Sequence, residues 1–456
     1  MKMKTLKWFG LLFMVGAVAS KAATPIDNVV RSVEQRIPEI RQLPEDTIQI
    51  QRPEFEFELP PEALADAQQR VQDLDNTALK TLDPLQELPK QLKIIDQTGK
   101  TVLIEQEVEN GWRAVENEWL LVIEEKDLDE LKKIDAEIIN TTKFEHLDMV
   151  IVTFKVPDEL NTRKVLEKKF PASWISELGR NHIYDASTSQ LNDKETKNIT
   201  ETGFSKPACK QPVAIGLIDT AIEKNHSALN KAKIKTKNFM DSSVTTPTAH
   251  GTAVAGILVG DRDRLKSLLP QATLYSASVF YSRNEYSQGA TLINLIQALD
   301  WMAANQVRVI NMSLTGPNNP ILEKAIQKIA DQGMIVVAAV GNEGPASRPL
   351  YPAAYPQVIG ATAVDSKQQI YRWANQGEQI DFAALGVSVM TSRANNQMGR
   401  ETGTSMAAPV ISAMAICKLT ENMSKDMVVQ ILKQNAIDLG VRGKDKVFGY
   451  GLIQPK

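Results

Sequence analysis

The chain has 456 residues, more than one ordinary core holds, so its length predicts two or three folded units. Its 43% hydrophobic and 23% charged residues are those of a globular protein rather than a disordered or fibrous one. A formal net charge of −3 argues against nucleic acid as the main partner. The average hides a split, because residues 24–200 carry 22 basic and 36 acidic side chains whereas 201–456 carry 26 and 19. The two halves have net charges of −14 and +7, and opposite charge favours their association and speeds their encounter.

Residues 1–23 read as a secretory signal peptide. Lys2, Lys4 and Lys7 make a basic start, Trp8 to Ala19 is apolar, and Ser20 and Ala22 form the small pair before a cleavage site. The run is too short to span a bilayer comfortably, and no second apolar stretch approaches ~20 residues. We therefore expect no stable membrane anchor and an exported protein, periplasmic or extracellular. Cys209 and Cys417 are the two cysteines. In an exported chain they permit one disulfide, although two buried free thiols are the preferred reading. With four histidines in the chain, no metal cluster is expected.

Residues 24–118 are rich in Glu, Gln, Leu and Pro and read as an extension, partly helical and partly linker, with an extended stretch at 53–61. From 119 the pattern sharpens. Trp119–Ile123 is a short apolar run of strand type, and Leu128, Leu131 and Ile134 then share one helical face behind Asp127. Strands over 137–144 and 149–156, a helix over 162–170 and a last strand at 182–184 complete the order βαββαβ. That order predicts a small two-layer α+β sandwich, ferredoxin-like, over 119–185. Residues 186–207 are rich in Ser, Thr, Asn and Lys and read as an exposed linker, where proteolytic nicking concentrates.

Nineteen of the 24 glycines lie beyond residue 200, where apolar strands alternate with helical segments through 208–456. Strands at 213–218, 273–280, 307–312 and 335–340 separated by helices predict a parallel sheet covered on both faces, hence an α/β domain. In such sheets active sites form at the carboxyl ends of the strands. The segment 213–220 ends a continuous apolar run on Asp219, and a carboxylate at a buried strand tip is desolvated and needs a partner. His250 opens a helix of small residues in which Gly251 and Gly256 allow close approach to the sheet. Ser405, in Gly403-Thr404-Ser405-Met406-Ala407-Ala408-Pro409, stands at another helix start. There backbone N–H groups converge and suit an oxyanion forming beside Oγ. Asn342 ends the strand 335–340 between Gly341 and Gly344, and its side-chain amide suits a second oxyanion donor. Each feature alone has an ordinary structural reading: a turn Asp, a core histidine, a serine N-cap, a turn asparagine.

Taken in the order Asp, His, Asn, Ser, with Asn225-His226, the Tyr351–Pro356 run and Phe448-Gly449-Tyr450-Gly451, the segment from about 210 to 453 resembles the subtilisin-like serine proteases. The resemblance implies a serine endopeptidase with a subtilisin-like parallel sheet and Asp219, His250 and Ser405 as catalytic triad. It implies Asn342 and the Ser405 N–H as oxyanion hole, and protein or peptide substrates. Extended substrate is expected to pair with strand edges near Ser313-Leu314-Thr315 and Phe280-Tyr281. The βαββαβ unit resembles the family's inhibitory propeptide, so a self-processing zymogen cut within 186–207 is expected, with the propeptide as intramolecular inhibitor.

This sequence departs from the family pattern at Ala221, Ala253, Thr315 and Leu350. Thr315 replaces a usual glycine along the substrate strand, and Leu350 occupies a usually small position at the base of the specificity pocket. Both reduce its volume and predict small side chains, such as Ala, before the scissile bond. The helix after His250 lacks the insertion that builds the family's tight calcium site, so no cofactor is expected to be required and calcium is not supported. The alternatives are a dedicated processing protease and a non-catalytic binding protein on the same fold.

Overall fold

The computed structural model describes residues 88–455 except 125–126, 132–135, 187–202, 205 and 285–286. The expected signal peptide, most of the extension and nearly all of the expected processing segment lie outside the described residues. The described chain begins with β1 (Gln91–Ile95), β2 (Thr101–Glu107) and β3 (Arg113–Val122), followed by one turn of helix α1 (Leu128–Leu131). Strands β4 (Glu137–Phe144) and β5 (Met149–Lys155), helices α2 (Arg163–Lys169) and α3 (Ala172–Ile175), and strand β6 (Leu178–Ala186) complete the N-terminal part. Alternation decides the two faces of its antiparallel sheet. Trp119 and Leu121 pack with Leu166, Phe170 and Trp174 of the covering helices, while Leu120 between them points the opposite way, into a separate core.

The extension reading needs correction over 88–118. Apart from a single 3-10 turn at Glu109–Gly111, these residues are mainly strand: β1 and β2 form a hairpin, and β2 pairs with the first half of β3, adding two strands to the sheet.

The second half of the chain contributes β7 (Ala214–Asp219), β8 (Lys233–Asn238), α4 (Ala249–Val259), β9 (Thr273–Ser278), β10 (Tyr281–Ser282) and β11 (Gln288–Thr291). It continues with α5 (Leu292–Ala304), β12 (Val309–Met312), β13 (Leu314–Thr315), α6 (Pro320–Asp331), β14 (Ile335–Ala339) and β15 (Val358–Val364). The last elements are β16 (Phe382–Leu385), β17 (Val389–Arg393), β18 (Gln397–Glu401), α7 (Thr404–Lys418) and α8 (Lys425–Asn435). Seven strands form the expected parallel sheet in the order β16-β15-β14-β12-β7-β9-β8. Apart from the edge strand β8, whose Lys-Ile-Lys-Thr-Lys-Asn sequence is largely exposed, these strands are buried, which is why they read as apolar runs. Ile335, Val337 and Ala339 join the core that holds α4 and α7, whereas Val336 and Ala338 join the one that holds α5 and α6.

Strand β6 ties the halves together. It lies antiparallel between β13, pairing Leu314 with Ala186 and Thr315 with Asp185, and β11, pairing Gly289, Ala290 and Thr291 with Asp185, Tyr184 and Ile183. Tyr184 lies flat against Gly316, where an added Cβ would come within 2.3 Å of the ring. Charge follows the split seen in the sequence: Lys324 meets Glu177 at 2.7 Å, Lys328 meets Asp148 at 3.2 Å, and Arg283 meets Glu105 at 2.7 Å.

The free-thiol reading is also corrected. Cys209 and Cys417 form a disulfide with Cα atoms 5.7 Å apart, clipping the segment before β7 to the end of α7 across 208 residues. Closing so long a loop restricts the unfolded chain, and losing such a bridge costs about 2–5 kcal/mol. Reduction, or joint Cys209→Ala and Cys417→Ala, is expected to lower Tm by roughly 5–15 °C. An unchanged melting curve would contradict this.

Candidate active site

Asp219 is the last residue of β7 and fully buried. Its Oδ1 accepts the Thr220 N–H at 2.7 Å and stands 2.7 Å from His250 Nδ1 in the first turn of α4. A carboxylate fixed in this way selects the His250 tautomer with hydrogen on Nδ1 and leaves Nε2 as the basic nitrogen. The approach of α4 depends on Gly251, whose N–H donates to Thr220 Oγ1 at 2.7 Å. Any Cβ there would lie 2.4 Å from the Thr220 carbonyl oxygen.

Ser405 is the second residue of α7, and it lines one cleft of about 340 Å³ together with His250. The same cleft is walled by Arg393, Asn395, Gln397 and Glu401 of the β17–β18 hairpin, which the sequence reading did not single out. Helix α7 contains Pro409, four residues after Ser405, so the Ser405 carbonyl lacks its usual helical donor. Ser313 Oγ supplies one, donating to that carbonyl at 3.1 Å. Ser313 is in turn held by Asn311 Nδ2 at 2.9 Å, and Ser412 Oγ donates to Asn311 Oδ1 at 3.1 Å. These side chains are buried beneath the helix start, where Ser313 braces the Ser405 backbone.

Asn342 reaches the same helix. Its Oδ1 accepts from the Thr404 N–H and from Thr404 Oγ1, both at 3.0 Å, which makes Nδ2 the donating end of the amide. The turn is braced by Asn375, whose Oδ1 accepts the Glu343 N–H at 2.8 Å. Leu350 is buried and presses on Gly341, where a Cβ would lie 2.7 Å from its Cδ1. Leu314 and Thr315 are paired with β6, as described above.

Phe280 does not sit where the sequence reading put it. Its side chain is fully buried in the core with Leu292 and Leu295 of α5, and β10 pairs with β11 instead of with β6. The strand flanking β6 on that side is Gln288–Thr291. Its Gln-Gly-Ala-Thr sequence lacks the apolar alternation that marks a strand, and a glycine that admits close approach was its one signal.

A buried parallel sheet whose strand tips bring an Asp–His pair beside a helix-start serine defines a serine hydrolase site in its general class. The family model described as the Subtilase family matches residues 210–451, and the chain belongs to that family of serine endopeptidases. It is 32% identical over 250 residues to the minor extracellular protease Epr of Bacillus subtilis, covering 54% of this chain and 38% of that protein. It is 32% identical over 249 residues to subtilisin DY of Bacillus licheniformis, covering 53% of this chain and 88% of that protein. It is also 31% identical over 226 residues to the major intracellular serine protease of Bacillus subtilis, covering 46% of this chain and 70% of that protein. No helix among the described residues is long and apolar enough to cross a membrane.

Proposed function

We propose that the chain is an exported serine endopeptidase, made as a self-processing zymogen, that cleaves peptide bonds through Asp219, His250 and Ser405. The observation that carries this reading is the 2.7 Å Asp219–His250 bond beside the cleft that His250 and Ser405 share. Ser405 Oγ attacks the scissile carbonyl while His250 Nε2 takes its proton and later returns it to the leaving amine. Asp219 holds the ring and stabilises its charged form. The oxyanion of the tetrahedral intermediate is met by Asn342 Nδ2 and the Ser405 N–H; in subtilisin, losing one such side-chain donor costs about 10²–10³ in kcat. The reading calls for no cofactor.

Strand β6 supports the zymogen reading. It takes the place of an extended substrate between two strand edges, and the segment that follows it, within 186–207, is the one proposed for processing. Peptides are favoured over simple esters because the main chain of β11 and β13 offers this strand-like groove. The test is digestion of a reduced, unfolded protein, with and without a fluorophosphonate. Digestion that stops when Ser405 carries the adduct supports the reading, and digestion that survives the adduct contradicts it.

The Ser313 contact makes a narrower prediction. Ser313→Ala leaves a buried carbonyl without its donor, at about 1–3 kcal/mol. We expect kcat to fall about tenfold with KM nearly unchanged, because the nucleophile's backbone loosens while the substrate groove stays intact. A raised KM at constant kcat would instead return Ser313 to substrate binding.

A further inference from the structure

Arg283 lies between β10 and β11 at the edge of the groove that β6 fills. Its guanidinium is only 2% exposed and is aimed by the peptidase half itself, donating from Nη1 to the Gln288 carbonyl at 2.9 Å and to Ser287 Oγ at 3.2 Å. Two carboxylates from the N-terminal half meet it there. Nε donates to Glu105 Oε1 at 2.7 Å, and Nη1 donates to Asp185 Oδ1 in a short bond. Asp185 is the β6 residue in register with both Thr315 and Gly289, so its side chain stands at a fixed place along the substrate-like strand.

We propose that Arg283 is a specificity residue of the peptidase, selecting an acidic side chain at the substrate position in register with Thr315, the place Asp185 takes. The inference rests on the reading of β6 as a substrate mimic. When β6 leaves, Glu105 and Asp185 leave with it, and the guanidinium remains held by Gln288 and Ser287. The guanidinium has then lost both carboxylates, so an incoming strand that supplies one gains a charge-assisted hydrogen bond. One opposing charge faces the same place: burial, and then the charge of Asp185, push the Glu343 carboxyl up. A lysine at that position would meet both Glu343 and Arg283, and Arg283, which touches the position directly, decides the sign.

The test uses the matured protein and three ten-residue peptides copying residues 181–190, with Asp, Ala or Lys at the place of Asp185. Wild type is expected to cleave the Asp peptide at least tenfold faster in kcat/KM than the Lys peptide, with Ala between. Arg283→Glu is expected to invert that order, and Arg283→Gln to level it. Should both variants fail to fold, the wild-type ratio alone decides. A protein that digests unfolded protein but shows an Asp-to-Lys ratio near one, or leaves the Asp peptide uncut, overturns the Arg283 assignment alone. A protein that cleaves neither the peptides nor unfolded protein overturns the peptidase reading and this assignment with it.

Discussion

Ser405→Ala is expected to abolish peptide hydrolysis, with kcat falling about 10⁶-fold, the loss this triad shows in subtilisin. His250→Ala is expected to match it, because a serine hydroxyl without its base is a weak nucleophile. Asp219→Asn should fall less, about 10⁴-fold: the bond to Nδ1 survives in form but favours the wrong tautomer. None of the three should change how the protein folds more than modestly. Steady-state kinetics on a peptide with a chromogenic leaving group, alongside urea unfolding, separates the effects. Equal losses in stability and activity would mean a structural cluster and not a catalytic one.

Glu105→Ala is expected to release the N-terminal sheet. Glu105 is fully buried and accepts from Arg283 Nε at 2.7 Å, from Tyr281 OH at 2.7 Å and from Arg113 Nε at 2.6 Å. Burial pushes its carboxyl up, but the Arg283 charge and the hydrogen bonds from Arg283, Tyr281 and Arg113 outweigh this and hold it below 4.5. Removing one side of such a buried pair costs about 3–5 kcal/mol, because Arg113 and Arg283 lose a desolvated partner and Arg283 keeps only the half-exposed Asp185. That is about 10²–10⁴-fold in the equilibrium that holds β6 in the groove. The full-length variant should therefore mature faster and leak activity earlier than wild type, and an unchanged time course would contradict it.

Acid is expected to act in the same direction through two groups. The contribution of Glu105 is complete above pH 4.5 and fades as pH falls through its lowered folded value. His182 on β6 has its value pushed down from 6.5 to about 3, first by burial and then by the Arg180 charge, with Arg163 adding to this and Glu109 opposing it. Its Nδ1 faces Asn319 Nδ2 at 2.9 Å, an amide nitrogen that also donates to the Arg180 carbonyl, so Nδ1 must accept and cannot carry a proton. Stability from this contact is complete above pH 6.5 and is lost as pH falls towards 3. Full-length Ser405→Ala should thus show its first urea transition at clearly lower denaturant at pH 4.0 than at pH 7.0. His182→Gln should flatten the change between pH 7 and pH 5.

The candidate site was legible in the sequence because each of its parts is announced locally. A strand that ends on an acid, a helix of small residues behind His250 and a serine two residues after Gly403 at a helix start all lie within a few residues of the atom that matters. The parallel sheet was legible for a related reason, since strands buried on both faces give unbroken apolar runs. The N-terminal hairpin was not. The most buried residue of β2 is Glu105, so the strand hides its inward face behind a charge whose partners lie up to 178 residues away. The disulfide was hidden by a separation of 208 residues, and the groove strand Gln288–Thr291 by its lack of large apolar side chains. Phe280 was misplaced because an apolar residue at a strand end reads alike whether it faces the core or a groove.

The central claim is that Ser405 acts on the chain's own N-terminal segment as well as on other proteins. The intact masses of purified wild type and Ser405→Ala, followed together through prolonged incubation, test it most directly. The account predicts that wild type loses everything up to a bond within residues 186–207 while Ser405→Ala keeps its full N-terminal part. Both proteins remaining full length, or both being cut alike, would contradict it.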